Sequence, residues 1–388
     1  MIQEAIARYK RLRTGRFLSE TFSGKYAFVG MGQHSLDNLY PVLDYLKVPL
    51  KYICVTSEEK AEQITRKFPG VQGVSSLETV LGDPEVTGVL VAAAPSAHYE
   101  LASKVLAAGK SLFIEKPPCS SLEELEVLES TCEGAGDAEG STGVPVFAAG
   151  LQKRYAPAVR ILKARLGRHR PSHYELHYRT GAYPEGNALL DLFIHPLDMV
   201  TALFGEAKVV SCVRPGVEGD GGSAAGKGSA AGGAETLLLT LEHPHGVAGT
   251  LELSTAYSWK SAGEGLSVCT AKGEYQLEGM DELSFRPFQG RILGIPLEKV
   301  RPRADRVEYL YRRNGFNPVI ADNQIVSAGY FDELRAFTAA VEAGPATPAS
   351  RSGRPGARSL AKAHPVLTGF SDIRPTYRLL DIIAVAAK

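Results

Sequence analysis

The sequence has little of what marks several protein classes. Its five cysteines (Cys54, Cys119, Cys132, Cys212, Cys269) are odd in number, scattered and never spaced as CxxC. A disulfide framework and a thiolate zinc site are thereby excluded, and reduced thiols in a cytoplasmic protein fit best. No apolar run approaches the ~20 residues needed to span a bilayer. There is no excess of charge: Lys plus Arg and Asp plus Glu are 43 each. Neither nucleic acid nor an acidic membrane surface is therefore expected as the main partner. The opening MIQEAIARYKRLRTGRF is basic and amphipathic but lacks the apolar core and small-residue cleavage site of a signal peptide.

What is present is globular. Apolar residues make up 44% and charged residues 22% of 388, too long a chain for one ordinary core, so two domains are expected. Residues 1–24 read as a helical extension. From Lys25 short β-branched runs (KYAFVG, KYICVT, TGVLVAAA, SLFIEKP, VPVFAAGL) alternate with amphipathic stretches (SLDNLYPVLDYL, EEKAEQITRKF, HYELASKVLAAG, SLEELEVLEST). That alternation predicts an α/β unit over 25–150, a parallel sheet wound with helices on both faces. EGAGDAEGSTG (Glu133–Gly143) reads as a flexible loop within it.

After Gly150 the pattern changes. APAVRILKARLG reads as a helix and HYELHYRT as a strand; ETLLLTLEH, GVAGTLELSTAY, GLSVCTAK and GEYQLEG then alternate with period two. A sheet with one wet or ligand-facing side is expected over 151–388. YFDELRAFTAAVEAG and YRLLDIIAVAA read as helices, and the Gly/Ala/Ser run within 215–235 as a mobile hairpin loop.

Three motifs carry chemistry. The first strand runs into Gly30-Met-Gly32-Gln33-His34-Ser35 and then a helix. Gly30 permits a tight turn, Gly32 lets backbone approach a pyrophosphate, and Ser35 is small enough to replace the third glycine of a dinucleotide fingerprint. The anion would rest on the helix N-terminus. The next strand ends Val55-Thr56-Ser57, with no acid until Glu58. Thr56, Ser57 and Lys60 suit a 2′-phosphate, which leans the cofactor from NAD towards NADP; alternatively Ser57 simply caps the following helix. Gln33, His34, Ala94, Pro95, His98, Glu115 and Lys116 complete the expected cofactor contacts.

The second motif is SLFIEKPP. It puts Glu115 and Lys116 at a strand's carboxyl end, where open α/β sheets bind ligands. Pro117 holds Lys116 extended. Near a nicotinamide its ammonium would stabilise an alkoxide; otherwise it forms a solvated pair with Glu115.

The third is LLDLFIHPLD (Leu189–Asp198). At helical spacing Asp191, His195 and Asp198 share one face of an element whose other residues are apolar. Burying them costs several kcal/mol unless they are paired or functional, roughly as for any buried polar group. Three readings stand: a structural His–Asp pair, metal ligands without an HExxH-type motif, or a proton relay with His195 as general base. Pro196 interrupts the helix, so the face argument is approximate.

EKP at a strand end, followed by QKRY and ALLDLFIHPLD, resembles the Gfo/Idh/MocA family of NAD(P)-dependent oxidoreductases over nearly all of residues 25–388. The resemblance implies a Rossmann domain followed by an α/β domain with an open mixed, largely antiparallel sheet. It implies hydride transfer at a hydroxyl or ketone of a sugar, polyol or nucleotide-sugar. It implies catalytic roles for Lys116, Asp191 and His195, cofactor or substrate contacts from Arg154 and Tyr155, and a homodimer or homotetramer. Tyr183 is a further candidate substrate contact, and no metal is expected. Phe193 stands where glycine is common, which bears on the room beside His195. Rivals are an enzyme that retains NAD through an elimination, hydrolysis or epimerisation, and a non-catalytic NAD(P)-binding sensor.

Overall fold

The computed structural model describes residues 3–4, 21–138, 141, 143–215, 234–300, 306–344 and 367–386. Most of the 1–24 extension and of the 215–235 loop lies outside the described residues. The chain forms two compact units.

The first unit takes Met1–Cys119, Glu126–Gly150 and Phe331–Leu367. Its sheet has six parallel strands, β1 Lys25–Val29, β2 Leu50–Cys54, β3 Gln72–Val74, β4 Val86–Val91, β5 Ser111–Glu115 and β6 Phe147–Gly150, in the order β3-β2-β1-β4-β5-β6. Strand residues are buried almost without alternation, as a parallel sheet covered on both faces requires. The order reverses between β1 and β4, so their carboxyl ends flank the crevice where doubly wound sheets bind dinucleotides.

Three differences from the sequence reading have local causes. Strand β3 and the helix Leu77–Leu81 were not expected, because three and five residues are too short to show a period. The helix Leu122–Asp137 runs through the expected loop as far as Asp137. It packs there on the returning chain: Cys132 Sγ donates to Pro145 O at 3.4 Å, and a Cβ on Gly136 would meet Val144 at 2.5 Å. Lastly, the helix Tyr330–Ala343 returns to the first unit rather than staying with residues 151–388. Its fully buried Phe337 packs on Tyr26 and Phe113, centroids 6.5 and 5.8 Å apart, and Glu342 accepts the Ser23 and Gly24 amides.

The second unit takes Ser120–Leu125, Leu151–Tyr330 and Thr368–Lys388. Its eight-stranded sheet is built on β7 Pro171–Arg179, β8 Lys208–Val213, β9 Thr236–His243, β10 Val247–Ser254, β11 Gly263–Thr270, β12 Gly273–Glu278 and β13 Glu282–Pro287. With the strand Glu308–Arg312 at one edge the order is Glu308–Arg312, β13, β12, β11, β7, β10, β9, β8. Only β7 and β10 pair in parallel; the other neighbours are antiparallel. Alternate residues of β9, β10 and β12 are buried, which gives the sheet one dry face. The longer helices described in this unit are Pro157–Leu166, Ile194–Phe204 and Phe370–Ala386. Among the described residues no helix is long and apolar enough to cross a membrane.

Candidate active site

The glycine turn follows β1 directly. Gly30 has φ +91°, and its amide donates to Cys54 O at 2.9 Å; a Cβ there would lie 2.4 Å from Ala92 O. Only glycine accepts both the left-handed backbone and the closeness to the end of β4. Gly32 is different, with open space within 4 Å of where its Cβ would stand. Ser35 is buried, as the packing role of the missing third glycine demands. The helix begins with a π turn, Ser35–Leu39. Gln33 is exposed and donates to Asp37 at 2.9 Å. His34 Nε2 lies 3.3 Å from Oε1 of the buried Glu115, which ties the turn to the end of β5.

At that end Glu115 Oε2 accepts the Lys116 amide at 3.3 Å. A Cβ on Gly150 of β6 would come within 3.1 Å of that carboxylate, so the glycine makes room for it. The Lys116–Pro117 bond is cis. His98, 1% exposed, faces Pro117 O with Nδ1 at 2.8 Å and Ala93 O with Nε2 at 3.0 Å. It thus spans the loops after β4 and β5, with its neighbours Ala94 and Pro95 opening the helix Pro95–Ala107. At the end of β2, Thr56 and Lys60 are exposed, and Ser57 caps the helix Glu58–Lys67 by accepting Lys60 N at 3.3 Å.

In the second unit the segment LLDLF (Leu189–Phe193) is a π turn that passes into the α-helix Ile194–Phe204. Pro196 has no N–H to donate to the preceding turn, and the wide π turn lies just before it. The extra residue alters the straight i, i+4 alignment of Asp191 with His195. Asp191, His195 and Asp198 are all buried, at 7%, 9% and 2% exposure. The two acids differ in their partners. Asp191 Oδ2 accepts Asn187 N at 2.9 Å and the Tyr183 hydroxyl at 3.3 Å. Burial and that carboxylate push the Tyr183 pKa up to about 12, so the phenol stays a donor at neutral pH. Asp198 is forked by Arg154, Nε at 2.7 Å and Nη2 at 2.6 Å, and accepts Thr376 Oγ1 at 2.9 Å.

Arg154 also donates to Asp372 O at 2.8 Å. Burial works against its charge, but Asp198 more than offsets this and raises its pKa. The guanidinium braces the QKRY turn (Gln152–Tyr155) against two helices. Tyr155 is 2% exposed, its hydroxyl accepting Thr368 N at 2.8 Å. Phe193 is fully buried edge-on to Tyr178, centroids 6.2 Å apart, so its ring fills the core rather than open space beside His195. Sequence reasoning missed Asn187, whose Oδ1 caps the π turn at Leu189 N, 3.0 Å, while its amide holds Asp191. An asparagine just ahead of a helix is the signal that would have found it. Among the described residues no group of three His, Cys, Asp or Glu side chains is placed to hold a metal ion.

Comparison with known proteins bears on both units. Residues 24–139 match the family model described as "Oxidoreductase family, NAD-binding Rossmann fold", and residues 158–276 match the Gfo/Idh/MocA C-terminal domain. The chain belongs to the Gfo/Idh/MocA oxidoreductase family. Within it, the chain is 28% identical over 152 residues to inositol 2-dehydrogenase of Acidothermus cellulolyticus, covering 37% of this chain and 42% of that one. It is 29% identical over 221 residues to 2,7-anhydro-N-acetylneuraminate hydratase of Escherichia coli, covering 54% and 56%. The chain thus spans about half the length of these relatives. A dehydrogenase from Chromobacterium violaceum shares the fold at a TM-score of 0.71 and 18% identity, over 94% of this chain and 96% of that one. The residues after β1 suit the family's dinucleotide: a left-handed Gly30, open space over Gly32 and a helix start.

Proposed function

We propose that this Gfo/Idh/MocA protein transfers a hydride between a nicotinamide dinucleotide and a secondary hydroxyl or ketone of a sugar or polyol. One observation carries the reading: a member of an NAD-binding oxidoreductase family buries Asp191 on a wide helical turn and His195 in the first turn of the α-helix that continues it. Gly30, Gly32 and the start of the helix at Ser35 would hold the pyrophosphate, and the bound nicotinamide would accept or give the hydride. His195 takes the hydroxyl proton as general base, and Lys116 stabilises the developing oxyanion. Asp191 is held by Asn187 and Tyr183 on the turn that precedes His195. Asp198, locked by Arg154, braces the helix. Exposed Thr56 and Lys60, with no acid before Glu58 at the end of β2, favour NADP over NAD.

The test is turnover of NADP and NAD with a panel of cyclitols and monosaccharides, followed by Lys116→Ala and His195→Ala. Near-normal turnover in both variants contradicts these roles. A second reading is favoured by the hydratase relative: the cofactor is retained and re-reduced around an elimination. Product formation without lasting change in the nicotinamide absorbance would select it. The exposed Val210, Val213 and Leu238 on neighbouring β8 and β9 support a homodimer or homotetramer formed through the open sheet, which light scattering checks.

A further inference from the structure

We propose that Trp259 forms the outer aromatic wall of the Asp191 site and receives the C–H face of a ring-shaped polyol; this rests on the polyol reading above. Trp259 is the only tryptophan of the chain and is 59% exposed. It is nonetheless fixed. Its pyrrole edge lies on Gly181 so closely that a Cβ there would stand 2.2 Å from Cδ1 and 2.5 Å from Nε1. Glycine at 181 is the condition for the indole to rest on this strand end. The neighbouring Tyr257 amide donates to Thr180 O at 3.0 Å, and Ser258 caps the turn Trp259–Ser261.

From Gly181 the chain leads straight to Asp191. Tyr183 and Asn187 both donate to Asp191 Oδ2, and a Cβ on Gly186 would come within 2.2 Å of that oxygen. The loop is therefore pinned at one end under the indole and at the other on the carboxylate. Two residues before Trp259, the Tyr257 ring carries the Arg179 guanidinium 5.2 Å from its centroid, and Glu252 accepts from both residues, each at 2.5 Å, which fixes this chain segment. A cyclic polyol has hydroxyls around its edge and C–H bonds on its faces. The negative face of a π system attracts those C–H bonds, and a ring already fixed loses little freedom on binding. The Asp191 carboxylate and the Tyr183 hydroxyl at the other end of the loop suit the hydroxyl edge.

The experiment is titration of the intrinsic tryptophan emission with myo-inositol, D-glucose and D-xylose, with NADP or NAD bound, alongside steady-state kinetics. A saturable emission change with at least one probe is expected. Trp259→Ala should raise KM for that probe about tenfold with little loss of kcat, and Trp259→Phe should restore most of the loss. Turnover of a probe with no emission change and an unchanged KM in Trp259→Ala overturns the inference while hydride transfer stands. An emission change without turnover supports the wall and sinks the hydride-transfer reading. Silence in both measurements overturns both.

Discussion

Arg154 grips Asp198 with two nitrogens, at 2.7 and 2.6 Å, three residues beyond His195 on the same helix. The pair is almost wholly buried and is completed by Thr376 and Asp372 O. Arg154, expected from the family resemblance to touch cofactor or substrate, has its guanidinium engaged in the frame that holds the His195 helix. Asp198→Asn leaves a buried cation without its anion, and a loss of about 3–5 kcal/mol in urea unfolding is expected. A variant as stable as the parent would show that the pair does not hold the helix.

Gly30→Ala should abolish cofactor binding. The new Cβ would meet the Ala92 carbonyl at 2.4 Å, on a backbone at φ +91° that alanine disfavours. Destabilisation of about 1–3 kcal/mol should accompany it. Isothermal titration with NADP and NAD measures the affinity, and parent-like binding would remove Gly30 from the phosphate turn. Gly32→Ala meets open space in the protein, so it should fold normally and weaken only the dinucleotide.

Cofactor choice turns on Thr56 and Lys60. Lys60→Glu should shift the ratio of NADP to NAD affinity towards NAD by about tenfold or more, since a 2′-phosphate would face a carboxylate. Thermal shift with each dinucleotide reads this directly. An unchanged ratio removes Lys60 from the 2′ site.

A pH dependence of stability follows from His243. Its Nδ1 lies 2.9 Å from Gly205 O and its Nε2 2.7 Å from the Tyr174 hydroxyl, so the neutral ring donating from Nδ1 is fully partnered in its buried site. Burial pushes its pKa below the ordinary 6.5. The unfolded chain therefore binds a proton that the folded chain resists, so stability is complete above about pH 6.5 and declines as pH falls below it. His243→Gln should flatten this part of the stability curve. A slope unaltered by the substitution would assign it to other groups.

The parts of the fold legible in the sequence are those whose cause is local. The glycine turn, the EKP strand end and the alternation of β9 to β12 each follow from neighbouring residues. The fold class also read correctly, a wound parallel sheet followed by the mixed second sheet implied by the family motifs. What was not legible depends on partners far along the chain. Nothing near Phe337 says that it fills the space beside Tyr26 and Phe113. Nothing near Asp198 says that Arg154, 44 residues earlier, will claim it. The π turn at Leu189–Phe193 was hidden for a related reason: helical spacing counts residues but does not reveal one extra residue in a turn. Phe193 read as a possible obstruction only because burial against Tyr178 is a tertiary fact.

The central claim is that His195 moves the proton while hydride passes to or from the nicotinamide, with Lys116 holding the oxyanion. The most direct measurement is the single-turnover rate of the nicotinamide absorbance change in His195→Ala and Lys116→Ala, each with its cofactor affinity. The account predicts a fall of about 10²–10⁴-fold in rate with dinucleotide affinity within a fewfold of the parent. Single-turnover rates near the parent's in both variants would contradict it.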